Sequence, residues 1–293
     1  MKIKPTVSTI LATKNEEQNI SRCINSLKDQ TYENMEIILV DNNSSDDTVK
    51  IASNLIEKVF NLPELTNTKN IKNYRGAQVN YGVTLSTGEI IFFPDADMTF
   101  DKNLISEAVD LIQEQAYEAL YSPEVIIGSG LFVKARNFER SFYNQTCIDG
   151  LRFIRKDLFI KAGGFDEKNI KFGPDDWDLT KTIKKYTNKV SITKNVIYHH
   201  ERFKNVLAYI KKKIKYTTTL GEYINKWGNN DDDIKKQFGL WYRYIGVFSE
   251  DGKWKMLLSR PDLALYMYLL RFMVGFFFLW SEIKRKLQKC MRN

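Results

Sequence analysis

Glu89-Ile90-Ile91-Phe92-Phe93-Pro94-Asp95-Ala96-Asp97 is the stretch that decides the fold. An apolar run from Glu89 to Phe93 meets a proline and then two carboxylates. A short run that is apolar without alternation reads as a strand buried on both faces, as in parallel sheets covered by helices. Upstream, Thr87-Gly88 closes a helical pattern over Ala77 to Leu85. Before it, Glu36 to Val40 forms a second apolar strand, stopped by the polar segment Asp41 to Asp47, with Val49, Ile51, Ala52 and Leu55 in the next helix. At the start, Val7 to Ala12 has strand character, Thr13 to Glu17 is polar, and Ile20, Cys23, Ile24 and Leu27 recur at helical spacing. Strands alternating with helices in this way predict an α/β domain with a mostly parallel sheet. The second half is less regular. Gly128 to Val133 predicts a strand, Phe153 to Ile160 is mixed, and Gly163-Gly164-Phe165-Asp166 is a turn signal. Asp175 to Ile183 opens helical, Val190 to Tyr198 reads as a strand pair or extended edge, and the chain is helical and basic from Asn205 onward.

Open α/β sheets bind ligands beyond the carboxyl ends of their strands. Three polar clusters stand at such ends here: Thr13 to Glu17, Asp41 to Asp47 and Asp95 to Asp97. Any one of them alone is explained by a turn or a helix N-cap, a role that suits Ser44, Ser45 and Asp46. Carboxylates two apart after a buried strand, Asp95 and Asp97, can turn toward one hard cation. Mn²⁺ or Mg²⁺ takes a few carboxylates and completes its shell with phosphate and water. Asp175-Asp176, followed by Trp177, is a second acidic pair. It can supply a general base, and equally it can place helix N-terminal acids against the dipole. His199 and His200 are the two histidines of the chain. They adjoin Glu201 and Arg202, and one of them can serve as a metal ligand, a phosphate contact or a satisfied structural histidine.

The 293 residues allow one large domain with an appendage; 43% are hydrophobic and 27% charged, the make-up of a globular protein. The net charge of +8 is concentrated at Lys204, Lys211, Lys212, Lys213 and Lys215, and again at Lys284, Arg285, Lys286, Lys289 and Arg292. Basic clusters beside a hydrophobic run suit anionic lipid better than nucleic acid, of which no recognition module is present. That run, Leu263 to Trp280, is marginal in length for a membrane span and carries Arg271 near its middle. The expectation is an interfacial helix, with packing onto the enzyme body or into a dimer seam as the alternative. Cys23, Cys147 and Cys290 form no disulfide or metal pattern and point to a reducing compartment. The apolar N-terminal run is too short for a signal peptide, which places the body in the cytosol.

These pieces, in this order, resemble family 2 glycosyltransferases over about residues 6 to 202. Val7 to Glu17 looks like the opening strand and nucleotide-binding turn. Ile38 to Thr48 looks like the second strand, where Asp41 would meet the base. Arg75-Gly76-Ala77, with Asn80 and Gly82, is similar to the segment approaching the diphosphate. Asp95-Ala96-Asp97 matches the metal motif, and Gly163 to Asp166 with Asp175-Asp176 matches the acceptor turn and acidic pair. The resemblance implies a GT-A fold over residues 1–204, followed by a basic helical extension (205–262) and a hydrophobic membrane-associating helix with a basic tail (263–293). It implies Asp176 as base with Asp175 beside it, Asp175 being a departure from the family's usual Glu. A nucleotide-sugar site would comprise Ala12, Thr13, Asn15, Glu16, Asp41, Asn43, Arg75, Asn80, Asp95 and Ala96. The metal would be held by Asp95, Asp97 and His199. His200, which replaces an expected acid, together with Arg202 and Trp177, completes the candidates.

The implied activity is inverting transfer of a sugar from a UDP- or GDP-sugar, GDP-mannose or a UDP-hexose, to a lipid-linked or membrane glycan at the cytosolic face of a membrane. A polyprenyl-phosphate hexose synthase of the dolichyl-phosphate mannose synthase kind is the variant. A nucleotidyltransferase is disfavoured because Thr13 to Glu17 holds no glycine. A scaffold without chemistry is disfavoured by the intact acids.

Overall fold

The structure, a computed structural model, describes residues 4–62, 72, 74–201, 206–217 and 219–290. Two compact units emerge: Met1–Ile127 with Tyr143–His200, and Gly128–Phe142 with Glu201–Asn293.

The first unit is built on β1 (Val7–Thr13), β2 (Met35–Asp41), β3 (Lys58–Asn61), β4 (Ile90–Phe92), β5 (Met98–Phe100), β6 (Ala119–Tyr121), β7 (Glu124–Ile126), β8 (Phe153–Arg155), β9 (Val190–Ile192) and β10 (Ile197–His199). Seven of these form one sheet in the order β3-β2-β1-β4-β8-β6-β9, and three form a second in the order β5-β10-β7. In the large sheet the β1–β2, β1–β4, β2–β3 and β6–β9 ladders are parallel, while β8 runs antiparallel to β4 and β6. The continuous apolar runs have the cause inferred from them, because both faces of the sheet are covered. Val7, Leu11, Leu39 and Phe92 enter one core with Ile20, Ile24 and Leu27 of the helix Ile20–Lys28. Ile10, Ile38, Val40, Ile91 and Phe93 enter the other with Ala77, Val79 and Val83 of the helix Tyr74–Leu85. The strand pair expected over Val190 to Tyr198 is present, but its halves belong to different sheets.

The second unit is helical. Its long helix, Pro261–Cys290, contains the apolar Leu263 to Trp280 segment. Among the described residues no helix is long and apolar enough to cross a membrane. Arg271 lies on this helix's inward face with Leu263, Ala264, Met267 and Leu270. There its Nη1 donates to Glu139 Oε1 at 2.5 Å. One sequence expectation is corrected here. Gly128 to Val133 is not a strand; a helix begins at Gly130 and runs to Ser141. Its buried side chains are Ala135, Arg136 and Glu139, and two charges inside the core hide the helical period from a hydrophobicity reading. The helix falls in the second unit. Arg136 Nη1 donates to Glu139 (3.0 Å) and to the Tyr209 hydroxyl (2.9 Å). Within this unit the Tyr268 hydroxyl donates to the Tyr244 carbonyl and the Phe248 and Tyr268 rings meet at 5.5 Å. Arg202, Lys204 and Arg292 lie outside the described residues.

Candidate active site

Parallel register brings the three polar strand ends together. Thr13 pairs with Asp41 across β1 and β2, and Ala12 bridges Asp95 just beyond β4. Gln78, on the helix behind them, donates through Nε2 to the carbonyls of Thr13 (2.8 Å) and Val40 (2.6 Å), fixing both strand ends to one side chain.

Asp41 is fully buried. Its Oδ1 accepts from Thr13 Oγ1 (2.9 Å) and Ser44 Oγ (2.6 Å), and its Oδ2 from the Ser44 amide (2.6 Å). In this arrangement the carboxylate braces the 42–45 turn. Asn15 and Asn43 project there with φ of 55° and 53°. Asparagine tolerates this left-handed region better than most residues. The Asn15 amide donates to Ser44 Oγ, Asn15 Oδ1 accepts from the Ser45 amide, and the Glu16 amide donates to Thr48 Oγ1. The two loops thus form one rim. Ala96 is buried between the two acids of its motif. Asn80 lies elsewhere, bonded to the acceptor-side turn: its Nδ2 donates to the Phe165 carbonyl and its Oδ1 accepts the Phe165 amide.

Arg75 joins Asp95 to the Asp175–Asp176 pair. Its Nε donates to Asp95 Oδ1 at 2.9 Å, and its Nη1 donates to Asp175 Oδ2 at 3.2 Å and Asp176 Oδ1 at 2.9 Å. Burial disfavours the guanidinium charge, but Asp176, Asp95 and Asp175 outweigh it and push its pKa well up. Burial likewise raises Asp95, yet Arg75, then Arg152 and His199, hold its carboxyl below the ordinary carboxylate range. Asp175 and Asp176 therefore do not face each other as bare like charges; a guanidinium stands between them. Asp175 Oδ1 also accepts the Gly173 amide at 2.9 Å, and Trp177 Nε1 donates to the Ile148 carbonyl at 2.8 Å. Gly150 packs against the base candidate so closely that a Cβ there would lie 3.0 Å from Asp176 Cβ.

His199, not His200, meets the metal motif: its Nε2 lies 3.2 Å from Asp97 Oδ2. Burial alone would lower the His199 pKa, but Asp97 and Glu124 reverse this and raise it to about 10. His200 turns its Nε2 to Thr99 Oγ1 (2.9 Å), while its amide donates to the Asp97 carbonyl. Burial and the nearby Arg22 lower its pKa. Two residues that no motif announced complete the site. Arg152 donates through Nε to Glu124 Oε1 at 3.1 Å and places Nη1 3.8 Å from Asp176 Oδ2. Among the described residues no three His, Cys, Asp or Glu side chains converge closely enough to cage an ion unaided. Asp97 and His199 nevertheless supply two convergent donors of the kind a hard cation accepts alongside phosphate oxygens and water.

A mostly parallel α/β sheet with acidic strand ends, an appended three-stranded sheet and helices after it define the GT-A class of nucleotide-diphosphosugar transferase fold. The profile described as glycosyl transferase family 2 matches residues 8–165, more than half of the chain, and the protein belongs to that family. The beta-monoglucosyldiacylglycerol synthase of Trichormus variabilis is 28% identical over 192 residues, which is 60% of this chain and 40% of that protein. The GalNAc(5)-diNAcBac-PP-undecaprenol beta-1,3-glucosyltransferase of Campylobacter jejuni is 27% identical over 156 residues, 53% of this chain and 48% of the relative. The chain thus spans less than half the length of either protein. The mannosyltransferase PcManGT from Pyrobaculum calidifontis, solved with GDP-Man and Mn²⁺, superposes with a TM-score of 0.63 over 96% of this chain and 88% of its own, at 14% identity.

Proposed function

We propose that the protein transfers a sugar, with inversion, from a UDP- or GDP-sugar to a lipid-linked or membrane glycan. The observation that carries this reading is the convergence of Asp95, Asp175 and Asp176 on Arg75, beside Asp97 and His199 and next to the rim of the first two strands. The rim of Lys14, Asn15 and Asn43, with the half-buried Glu16, offers exposed groups for the nucleoside. Asp97 and His199, with Asp95 once released from Arg75, would hold Mn²⁺ or Mg²⁺. When bound, that ion supplies charge neutralisation of the departing diphosphate. Asp176, oriented by Arg75 and by the snug Gly150, is the group to take the acceptor hydroxyl proton. The acceptor oxygen then bonds to the anomeric carbon as the bond to the diphosphate breaks.

The acceptor class is supported by relatives named for a glucosyldiacylglycerol product and for an undecaprenol-linked glycan. It is supported too by the outward face of the helix Pro261–Cys290, where Leu265, Phe272, Phe276 and Trp280 are all more than 60% exposed. Such a face suits an interfacial helix at a membrane surface, and we place the protein on the cytosolic side. A second reading, transfer to a polyprenyl phosphate, is favoured by one observation: Arg75 Nη2 and Arg152 Nη1, both buried beside Asp176, have no hydrogen-bond partner. A phosphate oxygen needs no base, so Asp176→Asn separates the two. Turnover falling by two or more orders of magnitude supports a hydroxyl acceptor, and near-normal turnover a phosphate. The overall reading is tested by incubating the protein with a nucleotide-sugar panel, with and without Mn²⁺. Metal-dependent release of nucleoside diphosphate is expected; none from any donor would refute the enzyme.

A further inference from the structure

An unbroken series of charged side chains leads from the metal side of the site to its acceptor side. Asp97 Oδ2 meets His199 Nε2 at 3.2 Å, and His199 Nδ1 faces Glu124 Oε2 at 3.5 Å. Glu124 Oε1 accepts from Arg152 Nε, and Arg152 Nη1 stands 3.8 Å from Asp176 Oδ2. The two middle members are hidden, the Glu124 and Arg152 side chains being 6% and 8% exposed. Ion pairs at that depth are poor stabilisers, because desolvation offsets much of the attraction. Their geometry suits a mechanical role better. Glu124 and Arg152 grip each other through two guanidinium nitrogens. Both outer joints are open: His199 Nδ1 and Arg152 Nη1 are buried without a hydrogen-bond partner.

We infer that Glu124 and Arg152 are positioning residues that couple occupancy of the metal position at Asp97 and His199 to the placement of Asp176. This rests on the metal-dependent reading above. A carboxylate behind a ligating histidine fixes the ring and its tautomer, and loss of such a partner commonly costs about 10- to 100-fold in metal affinity. Here the same carboxylate is clasped by an arginine whose free N–H faces the base. An ion held at Nε2 keeps the ring proton on Nδ1, facing Glu124, and strengthens that contact; any shift of Glu124 is passed through the clasped Glu124–Arg152 pair to the Arg152–Asp176 joint. Coupling of this kind is reciprocal.

The experiment is a double-mutant cycle read by calorimetric Mn²⁺ binding to protein saturated with UDP or GDP, whose phosphate oxygens complete the ion's shell, and without acceptor. Glu124→Gln should weaken Mn²⁺ by about 10-fold. Asp176→Asn should change Mn²⁺ affinity in the wild-type background, and that change should shrink by about five-fold or more in the Arg152→Gln background. Arg75 also joins Asp176 to the metal motif, but its contribution is the same in both backgrounds and cancels. A smaller shrinkage overturns the coupling. If Arg152→Gln fails to fold, Arg152→Lys carries the same cycle, keeping the charge but losing the two-nitrogen grip. A wild-type protein that binds no Mn²⁺ with either diphosphate present refutes the metal-dependent reading itself, so the two failures are distinct.

Discussion

At the level of single residues, Arg75 has the largest electrostatic consequence. Three carboxylates lean on one guanidinium, and Asp175 is only 3% exposed. Removing one partner from a buried charge set leaves the others uncompensated, typically at ~3–5 kcal/mol. Arg75→Ala should lower the unfolding free energy by about that much in urea titration and reduce turnover severely, whereas Arg75→Lys, a compact charge unable to reach three acids, should recover stability more than activity. His199 sets a pH dependence. Its pKa is raised from 6.5 to about 10 in the folded protein. Its pairing with Asp97 and Glu124 therefore stabilises the metal-free fold fully below the unfolded pKa and ceases to do so as pH rises through about 10. Metal-free thermal midpoints should fall between pH 7 and 10, and His199→Gln should flatten that slope. A slope unchanged by the substitution would show that the histidine is not the titrating group.

At the level of elements, the sheet is held at the strand ends opposite the site by Glu36. Its Oε1 accepts from Ser8 Oγ, the Thr87 amide and Thr87 Oγ1, while Lys58 pairs with its Oε2. One carboxylate therefore ties β1, β2, β3 and the turn before β4. Burial pushes it up, but Lys58, Ser8 and Thr87 bring its pKa down to about 2. Stability from this group is present above the unfolded value of 4.5 and is lost as pH falls toward 2. Glu36→Gln should destabilise the protein by ~1–3 kcal/mol at neutral pH, with the difference vanishing in acid; a deficit persisting at pH 2 would mean a packing origin. The strands around these groups were legible in the sequence because burial on both faces leaves continuous apolar runs, as at Ile90–Phe93. Helix Gly130–Ser141 was not, because Arg136 and Glu139 occupy its buried stripe. Asp95 and Asp97 were legible from their position just after a buried strand, and Asp175 and Asp176 from theirs at a helix start. Glu124 and Arg152 were not: each is a lone charge in a short segment, and only the pairing of β7 with β10 and of β8 with β4 brings them to the site.

For the molecule as a whole, the net charge of +8 and the apolar surface of the helical unit both bear on the proposed membrane partner. The 240–249 segment is locked to the long helix: the Tyr244 hydroxyl donates to the Arg271 carbonyl, and the Tyr244 and Phe272 rings meet at 5.4 Å. A Cβ at Gly275 would lie 2.8 Å from that hydroxyl, so a larger residue there would have to displace it. The locked segment presents Leu240 and Trp241, 76% and 72% exposed, in addition to Phe272 and Phe276 on the helix. Exposed lysines stand beside this surface, with Lys236 over Tyr242 and Lys255 over Trp254. Aromatic side chains with flanking cations fit the lipid–water interface, where each fully buried large side chain contributes ~1.5–3 kcal/mol. The protein should co-sediment with vesicles containing anionic lipid, and more weakly as salt shortens the ~10 Å screening length found at 0.1 M. Trp241→Ser with Phe276→Ser should reduce partitioning by about 10-fold or more while leaving donor hydrolysis intact, since neither residue belongs to the sugar-transfer unit. Equal sedimentation of wild type and double variant would remove this surface as the anchor. Loss of donor hydrolysis alongside binding would instead show that the substitutions had disturbed the fold.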